Sequence, residues 1–188
     1  MARLRSPEKR AAILRAAVKE IAEGGLGAST AKIAKAAGLA EGTLFTYFAN
    51  KEELLNELYL ELKSEVYSRI NADFPQKAGP ERRAWHVWSS FLDWAIEFPA
   101  KRKVSVLLNV SDLITSETRA RTSEHRELID ATLSELDGRG ALKGLPAGFA
   151  AATILAMQEA TIDFITKHPK RRNELTERVF AMVWRALR

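Results

Sequence analysis

The chain has 188 residues and a formal net charge of +5, with 29 Lys and Arg against 24 Asp and Glu. It contains no cysteine, which excludes disulfides and thiolate metal sites. No segment approaches the roughly 18 consecutive apolar residues of a membrane span, and the basic N-terminus lacks the apolar stretch of a signal peptide. We therefore expect a cytoplasmic protein with no membrane association, of one domain or two small ones.

A short basic arm, residues 1–6, precedes the first predicted helix. Ser6 is suited to the N-cap, Pro7 to the first helical position and Glu8 to the positive end of the helix. Apolar residues then recur at helical spacing until Gly24, where the helix is expected to end. In the presence of DNA such an arm reaches a phosphate or the minor groove, and without DNA it is expected to be disordered.

Residues 29–51 predict two short helices joined by a tight turn and followed by a longer helix. Gly38 stands where the first short helix, residues 29–37, must stop, because glycine adopts positive φ without a Cβ penalty. Ala34 is small enough to let the second helix, at about 40–48, pack closely. This arrangement predicts a helix-turn-helix, whose second helix enters the major groove and reads base edges. An ordinary helical hairpin is the alternative, because Ala and Gly pairs at this spacing are common.

Helical spacing divides these two helices into a buried face and an exposed face that is small and polar. The residues expected inside are Ile33, Ala37, Leu39, Leu44 and Phe48. Those expected outside are Ala40, Glu41, Gly42, Thr43, Thr46 and Tyr47.

The positive charge is concentrated in the same part of the chain. Residues 1–51 contain nine Lys and Arg and four Asp and Glu, so the rest of the chain is balanced. The whole excess therefore lies on the segment that would meet phosphates, as expected of a nucleic-acid-binding protein.

Two runs in this segment, IAKAAGL at 33–39 and EGTLFTYFANKEELL at 41–55, closely resemble the amino-terminal domain of TetR-type transcriptional regulators. The resemblance implies that Thr43 and Tyr47 face the groove. The positions that correspond to DNA-backbone contacts are Ser29 or Thr30, Phe45, Tyr47 and Lys51. The complete predicted DNA-binding set is Ser29, Thr30, Glu41, Gly42, Thr43, Phe45, Thr46, Tyr47 and Lys51.

Phe45 departs from the family pattern, which usually has tyrosine at this position. Without a hydroxyl group it cannot donate a hydrogen bond to a phosphate oxygen. Two roles stay open for Phe45: van der Waals contact with the sugar-phosphate edge, or packing in the core.

A fourth helix is predicted to begin with Asn50 as N-cap and Glu53 as its capping partner, and to run to about residue 73. At about 1.5 Å per residue this helix would extend some 30 Å from the DNA surface. A shift at its far end would therefore tilt the DNA-binding helices. Two prolines and a glycine in residues 74–80 end it. Further helices are predicted at 81–98, 100–110, 115 or 116 to 136, 147–167 and 170–187, with a glycine-rich loop at 138–148.

The resulting fold class is all-α, with about nine helices. A three-helix helix-turn-helix DNA-binding domain, residues 1–51, is expected to join a helical ligand-binding and dimerisation domain, residues 52–188.

The last two predicted helices have more apolar surface than one neighbouring helix can cover. Small residues repeat every four positions in the first of them, which allows a close helix crossing. We therefore expect a homodimer through a four-helix interface, with packing inside one chain as the alternative. The predicted interface residues are Gly148, Ala152, Ala156, Ala160, Phe164, Leu175, Val179, Phe180, Val183 and Trp184.

The resemblance also implies an effector site in the C-terminal bundle, whose occupancy moves the fourth helix and releases the DNA. Apolar side chains there would line a cavity and a few polar ones would orient the ligand, although each aromatic residue is also suited to an ordinary core. The predicted pocket residues are Trp85, Trp88, Phe91, Val104, Leu107, Leu108, Asn109, Asp112, Ile154, Met157 and Gln158.

No catalytic signature accompanies these features. The glycines at 138, 140 and 144 do not match a dinucleotide fingerprint, because they follow a helix and have the wrong spacing. His86, His125 and His168 are scattered, so neither a metal site nor a cofactor is predicted.

The sequence thus predicts a non-enzymatic, sequence-specific transcriptional regulator, specifically a repressor. Its predicted partners are double-stranded DNA with a pseudo-palindromic operator, a small apolar or amphipathic effector, and a second copy of the chain. The alternative is a helical protein-interaction adaptor that keeps the helix-turn-helix shape without binding DNA.

Overall fold

The computed structural model describes residues 6–137, 143–146 and 148–186. These residues form ten α-helices and short 3₁₀ helices at Thr122–His125 and Pro169–Arg171, with no strand among them, so the all-α prediction is confirmed. The α-helices are α1 (Pro7–Gly24), α2 (Thr30–Ala36), α3 (Glu41–Tyr47), α4 (Lys51–Asn71), α5 (Pro80–Glu97), α6 (Pro99–Asn109), α7 (Ser116–Arg121), α8 (Glu127–Asp137), α9 (Phe149–Lys167) and α10 (Arg172–Ala186). The arm at 1–5, most of the glycine-rich loop and residues 187–188 lie outside the described residues.

The predicted seventh helix is in fact two helices, α7 and α8, separated by the 3₁₀ segment. Thr122 and Ser123 lie at this break, and both residue types have low helix propensity because their hydroxyl groups compete for backbone hydrogen bonds. The Thr122 hydroxyl donates to the Arg119 carbonyl at 2.7 Å. Apolar periodicity alone did not reveal this interruption.

Packing divides the chain into two compact units. The head unit comprises Met1–Glu65 and Phe98–Thr122, and the bundle unit comprises Val66–Glu97 and Ser123–Arg188. Helices α6 and α7 therefore pack with the predicted DNA-binding segment, and α4 contributes residues to both units. The domain boundary expected at residue 51 does not coincide with the division between these packed units, and it stays a prediction.

The head unit has one continuous apolar core. Helix α1 begins as expected, with the Ser6 hydroxyl accepting the Lys9 backbone N–H at 3.3 Å, and it buries an apolar face. Helices α1, α2, α3, α4 and α6 contribute fully buried side chains to this core, including Ile13, Ile21, Ile33, Leu44, Leu54, Leu55, Val104 and Leu108. The orientation of α2 and α3 is thus determined by burial against α1, α4 and α6.

The turn between α2 and α3 is a Schellman motif. Gly38 adopts φ +71°, the N–H of Leu39 donates to the carbonyl of Ala34 at 2.9 Å, and the N–H of Gly38 donates to Lys35 at 3.0 Å. Leu39 packs against the head core, which supplies the hydrophobic contact usual for this motif. The predicted role of Gly38 is confirmed.

The bundle unit is organised around α5. Trp88 and Trp94 are fully buried, and the Trp88 indole N–H donates to the Thr176 carbonyl of α10 at 3.2 Å. An ion pair joins Arg83 of α5 to Glu135 of α8, and another joins Asp93 to Arg172 at 2.6 Å. None of the described helices has the length and apolar character needed to cross a membrane.

Gly38 and Gly42 allow a paired test of the turn. Neither glycine has any atom within 4 Å of a built Cβ, but only Gly38 has positive φ. Gly38→Ala should lower the free energy of unfolding by about 1–2 kcal/mol through backbone strain. Gly42→Ala should raise it by up to about 1 kcal/mol, because Gly42 lies within a helix. Urea unfolding measures both changes, and equal effects of the two substitutions would contradict the turn geometry.

Candidate nucleic-acid interface and effector cavity

Helix α3 has a buried face and an exposed face, but Tyr47, which the sequence predicts outside, is half-buried and packs against the head core. Leu44 is fully buried, while Glu41, Gly42 and Thr46 are exposed and Thr43 is half-buried. The exposed face is small and polar along the first turn. Its contact with DNA stays a prediction.

Phe45 and Phe48 show which of two phenylalanines supports the fold. Phe48 is 1% exposed and belongs to the head core, whereas Phe45 is 43% exposed. The packing role left open for Phe45 is therefore wrong, and contact with a partner remains.

Hydrogen bonds connect α3 to the elements on both sides of it. The Thr30 hydroxyl of α2 donates to Glu41 Oε1 at 2.6 Å, at the start of α3. At its end, the Tyr47 hydroxyl accepts the Ser6 backbone N–H at 3.1 Å. Both Thr30 and Tyr47 thus hold α3 in place, a role that sequence reasoning missed because it depends on contacts between helices.

Two more residues of the predicted set have local roles. Ser29 caps α2, its hydroxyl accepting the Lys32 backbone N–H at 3.3 Å. The Thr46 hydroxyl donates to the Thr43 carbonyl at 2.7 Å. Of the hydroxyl groups near α3, only that of Thr43 has no hydrogen-bond partner among the described residues.

Lys51 is positioned by the start of α4. Asn50 Oδ1 accepts the Glu53 backbone N–H at 2.8 Å, and the Glu53 carboxylate accepts the Ala49 N–H, so the predicted N-cap is confirmed. Lys51 is the first residue of α4 and is half-buried.

Most basic side chains of residues 6–51 form no ion pair with an acidic side chain of the described residues. Arg10 is paired with Glu57 at 2.6 Å and with Glu61 at 3.7 Å. In the described part of the chain, the basic residues of 6–51 without an acidic partner are Lys9, Arg15, Lys19, Lys32, Lys35 and Lys51. The nearby Glu8 carboxylate accepts from the Ser6 hydroxyl, which lowers the pKa of Glu8. These lysines and Arg15 therefore give the head unit a positive field.

The predicted effector residues are divided between the two units. Those in the head unit are Val104, Leu107, Leu108, Asn109 and Asp112. Val104 and Leu108 are fully buried in the head core with residues of α1 to α4, so their role there is packing. Those in the bundle unit are Trp85, Trp88, Phe91, Ile154, Met157 and Gln158.

Gln158 is not a free polar group for a ligand. It is buried, and its side-chain amide donates to the Trp88 carbonyl at 3.4 Å. Instead of orienting a ligand, as predicted, the Gln158 side chain links α9 to α5.

The bundle unit contains a nearly closed cavity and an open groove that share one wall. The cavity has a volume of about 10 Å³, room for about one water molecule. Its lining is Ala84, Val87, Trp88, Thr132, Leu133, Ile154, Phe180 and Val183. The groove has a volume of about 640 Å³ and is lined by Gly79, Pro80, Glu81, Arg82, Trp85, Phe180 and Trp184. Phe180 lines both spaces, and Arg82 is a candidate polar group that the sequence did not indicate.

The predicted dimer residues also differ in exposure. The small residues are exposed: Gly148 at the N-cap of α9, and Ala152, Ala156 and Ala160 within the helix. Phe164 is 56% exposed. On α10, Leu175 and Val179 are half-buried, while Phe180, Val183 and Trp184 are buried within the bundle unit. Those three side chains are covered by their own chain because α5 packs beside them, with Trp85 and Phe180 rings 5.0 Å apart.

No group of three potential His, Asp or Glu metal ligands occurs in residues 6–137, 143–146 and 148–186.

The amino-terminal part of the chain matches a family of known regulatory proteins. The model of bacterial regulatory proteins of the tetR family matches residues 13–58. The fatty acid metabolism regulator protein of Bacillus subtilis is 45% identical over 67 residues, which cover 35% of this chain and 34% of that protein. The matched stretch thus spans about a third of the curated relative.

Solved structures match nearly the whole chain. A tetR-family transcription regulator from Shewanella sp. PV-4 has a TM-score of 0.78 and 27% identity, covering 97% of this chain and 98% of the other. The transcriptional regulator FadR from Bacillus subtilis, solved in complex with stearoyl-CoA, has a TM-score of 0.69 and 26% identity, covering 92% and 96%. Residues 13–58 therefore carry an amino-terminal helix-turn-helix domain of the tetR type, and nearly the whole chain has the all-helical fold of tetR-family transcription regulators.

Phe45 and Phe48 allow a test of which phenylalanine serves the fold. Phe45→Ala should lower the free energy of unfolding by less than about 1.5 kcal/mol, because its ring is largely exposed, whereas Phe48→Ala should cost about 3–5 kcal/mol. Denaturant unfolding of both variants measures the difference. Equal losses would place Phe45 in the core after all.

Proposed function

We propose that the protein is a DNA-binding repressor that recognises a pseudo-palindromic operator and leaves it when an amphipathic effector binds the bundle unit. The observation that carries the proposal is the exposed face of α3, rigidly held by Thr30 and Tyr47 in a unit whose cations mostly lack acidic partners. Such a face suits the major groove, and the surrounding cations suit phosphates.

Within this proposal the residues have different tasks. Thr43, exposed Gly42 and Glu41 lie on the first turn of α3, from which recognition helices read base edges. Phe45 supplies apolar contact, and Lys51 neutralises a phosphate. Thr46 and Ser29 stabilise their helices through their own hydrogen bonds. As short polar residues they also approach the sugar-phosphate backbone of the DNA.

Salt dependence separates this function from that of a protein-interaction adaptor. Neutralising phosphates releases counterions, so the affinity of a DNA-binding protein falls steeply as salt rises. An adaptor would have no duplex affinity at any salt concentration. The unpaired cations of the head unit favour the first alternative.

Lys51 provides the variant that tests phosphate binding. Lys51→Ala should weaken binding to all duplexes about equally, by roughly fivefold, and reduce the slope of log K against log salt by about 0.9 per subunit. The control is Lys170→Ala, which removes an exposed lysine of the bundle unit and should leave the slope unchanged. Fluorescence anisotropy at several salt concentrations measures both. A Lys51 variant with the wild-type slope would remove this residue from the interface.

We infer that a homodimer forms through the exposed face of α9. The four small residues allow close approach, and Phe149, Leu155 and Phe164 add exposed apolar surface along the same helix. A two-fold dimer would present two α3 helices to half-sites one helical turn, or a multiple of it, apart.

Ala156 tests the α9 interface. Ala156→Glu should shift the protein to monomer at micromolar concentration, because a charged carboxylate would be buried at the helix crossing. Ala131→Glu is the matched control, since Ala131 is an exposed alanine of α8 outside the proposed face. Sedimentation velocity distinguishes the species. A monomeric wild-type protein, or equal dimerisation of both variants, would contradict the interface.

The proposed effector has a long apolar tail and an anionic head group, as in an acyl-CoA. The groove offers three aromatic walls and the exposed guanidinium of Arg82, which has no acidic partner among the described residues. The chain is similar to the fatty acid metabolism regulator protein of Bacillus subtilis and to the structure of FadR from the same organism bound to stearoyl-CoA. Because the cavity beyond Phe180 is nearly closed, the tail would have to move this ring to enter.

The regulatory step is a population shift. Residues 51–65 of α4 belong to the head unit and residues 66–71 to the bundle unit, so a ligand-dependent change in the bundle can act on the head through a continuous helix. The effector releases DNA only to the extent that it binds the DNA-incompetent conformation more tightly.

Acyl-chain length and Arg82 test the effector proposal. Stearoyl-CoA should quench or shift tryptophan fluorescence, through Trp85 and Trp184, and release a bound duplex, whereas free CoA should do neither. Arg82→Ala should weaken stearoyl-CoA binding about fivefold, as expected for one exposed charge contact, and Lys170→Ala should not. Unchanged DNA affinity at saturating stearoyl-CoA would reject this effector class.

A further inference from the structure

One acidic side chain lies on the proposed DNA-reading face. Glu41 is exposed at the first position of α3, and its Oε1 accepts the Thr30 hydroxyl hydrogen bond at 2.6 Å. Its second oxygen, Oε2, has no hydrogen-bond partner among the described residues. The carboxylate is therefore fixed through one oxygen and keeps the other free to accept.

A carboxylate in this position cannot serve as a phosphate contact. Phosphate oxygens carry negative charge and have no hydrogen to donate to the Glu41 carboxylate. The two groups therefore repel each other. A base edge that presents a donor is the partner that would compensate for this repulsion. The unit's excess of cations makes the overall encounter favourable while leaving Glu41 to discriminate among bases.

The four bases differ in what they present to such an acceptor in the major groove. Guanine presents N7 and O6, and thymine presents O4, all of which are acceptors that repel a carboxylate. Adenine presents the N6 donor directly beside the N7 acceptor. Cytosine presents only the N4 amino donor, which makes it the best match for a single carboxylate oxygen.

We propose that Glu41 Oε2 accepts a hydrogen bond from the N4 amino group of a cytosine in each half-site, and that Thr30 is the positioning residue that aims it. The proposal rests on the DNA-binding function above and adds a base identity to it. Because the Thr30 bond holds the side chain before DNA arrives, less side-chain freedom is lost on binding. Thr30 and Glu41 then act as one reading unit spanning α2 and α3.

The rival role for the pair is purely structural. Thr30 and Glu41 would then only join α2 to α3, with Glu41 also favoured by the positive end of α3. In that case removal of either group would lower stability and weaken binding to all sequences alike. Base preference at any one position would not change.

Selection of bound sites from a random duplex pool separates the two roles. The wild-type protein should select cytosine at one position of each half-site. Glu41→Ala should lose that preference, by roughly tenfold against the other bases, with the remaining positions unchanged. Glu41→Gln should change the preference at the same position to adenine, since an amide can both accept from N6 and donate to N7.

Two further variants complete the design. Thr30→Val keeps the shape of the side chain without its hydroxyl and should reduce the cytosine preference at the same position by a smaller factor. Glu23→Gln removes an exposed acid of α1 and should leave the selected site unchanged. Urea unfolding of every variant monitors the fold.

The outcomes are distinct. Selected sites that are identical for the wild type and both Glu41 variants would overturn the cytosine assignment while leaving DNA binding intact. A uniform loss of affinity with no change in base preference would establish the structural role instead. Failure of the wild-type protein to enrich any site would overturn the DNA-binding function itself, and this inference with it.

Discussion

The structure depends on the fixed crossing of α2 and α3. Gly38 turns the chain with a positive φ, and the buried side chains of Ile33, Leu44 and Phe48 hold both helices against the head core. Because a few tenths of an ångström matter in a packed core, this crossing leaves α3 little freedom. The face opposite Leu44 is therefore presented in one orientation, which is what reading base edges requires.

The part of the fold that could be predicted from the sequence is the part determined by local rules. Gly38 as a helix terminator, Asn50 as an N-cap and the buried face of α3 all follow from propensity and spacing within a few residues. Local rules could not predict which neighbouring helix or subunit covers each apolar side chain. Periodicity shows that Trp184 faces something apolar, but it does not show whether α5 or a second subunit covers it.

The same limit applies to the candidate sites. Exposure of the α3 face followed from spacing, whereas the Thr30–Glu41 and Ser6–Tyr47 hydrogen bonds join residues 11 and 41 positions apart. The family resemblance and their apolar character predict an effector-pocket role for Val104 and Leu108, yet both pack in the head core with α1 and α4. The interrupted helix at Thr122 shows the reverse case, in which weak local propensity overrode a continuous apolar pattern.

Several contacts within the head unit join α4 to α6 and α7. Asn56 of α4 donates to the Leu113 carbonyl at 2.9 Å and accepts the Thr115 N–H at 3.0 Å, so it holds the α6–α7 connection from both sides. Arg119 donates to the carbonyls of Asn109 and Ser111 and lies over the Tyr59 ring at 5.7 Å. These contacts tie α6 and α7 to α4. In the proposed mechanism, the head unit therefore responds to a change in α4 as one packed body.

The central claim is that the exposed face of α3 and the start of α4 bind duplex DNA. The most direct measurement is the affinity of a variant with Thr43, Tyr47 and Lys51 all replaced by alanine for the duplexes that the wild-type protein selects, with circular dichroism as the control for folding. The account predicts that the folded variant loses at least about a hundredfold in affinity, since Thr43 and Lys51 each lose a contact of roughly 1 kcal/mol and the loss of Tyr47 releases the end of α3 from Ser6. A folded variant that binds those duplexes as tightly as the wild-type protein would contradict it.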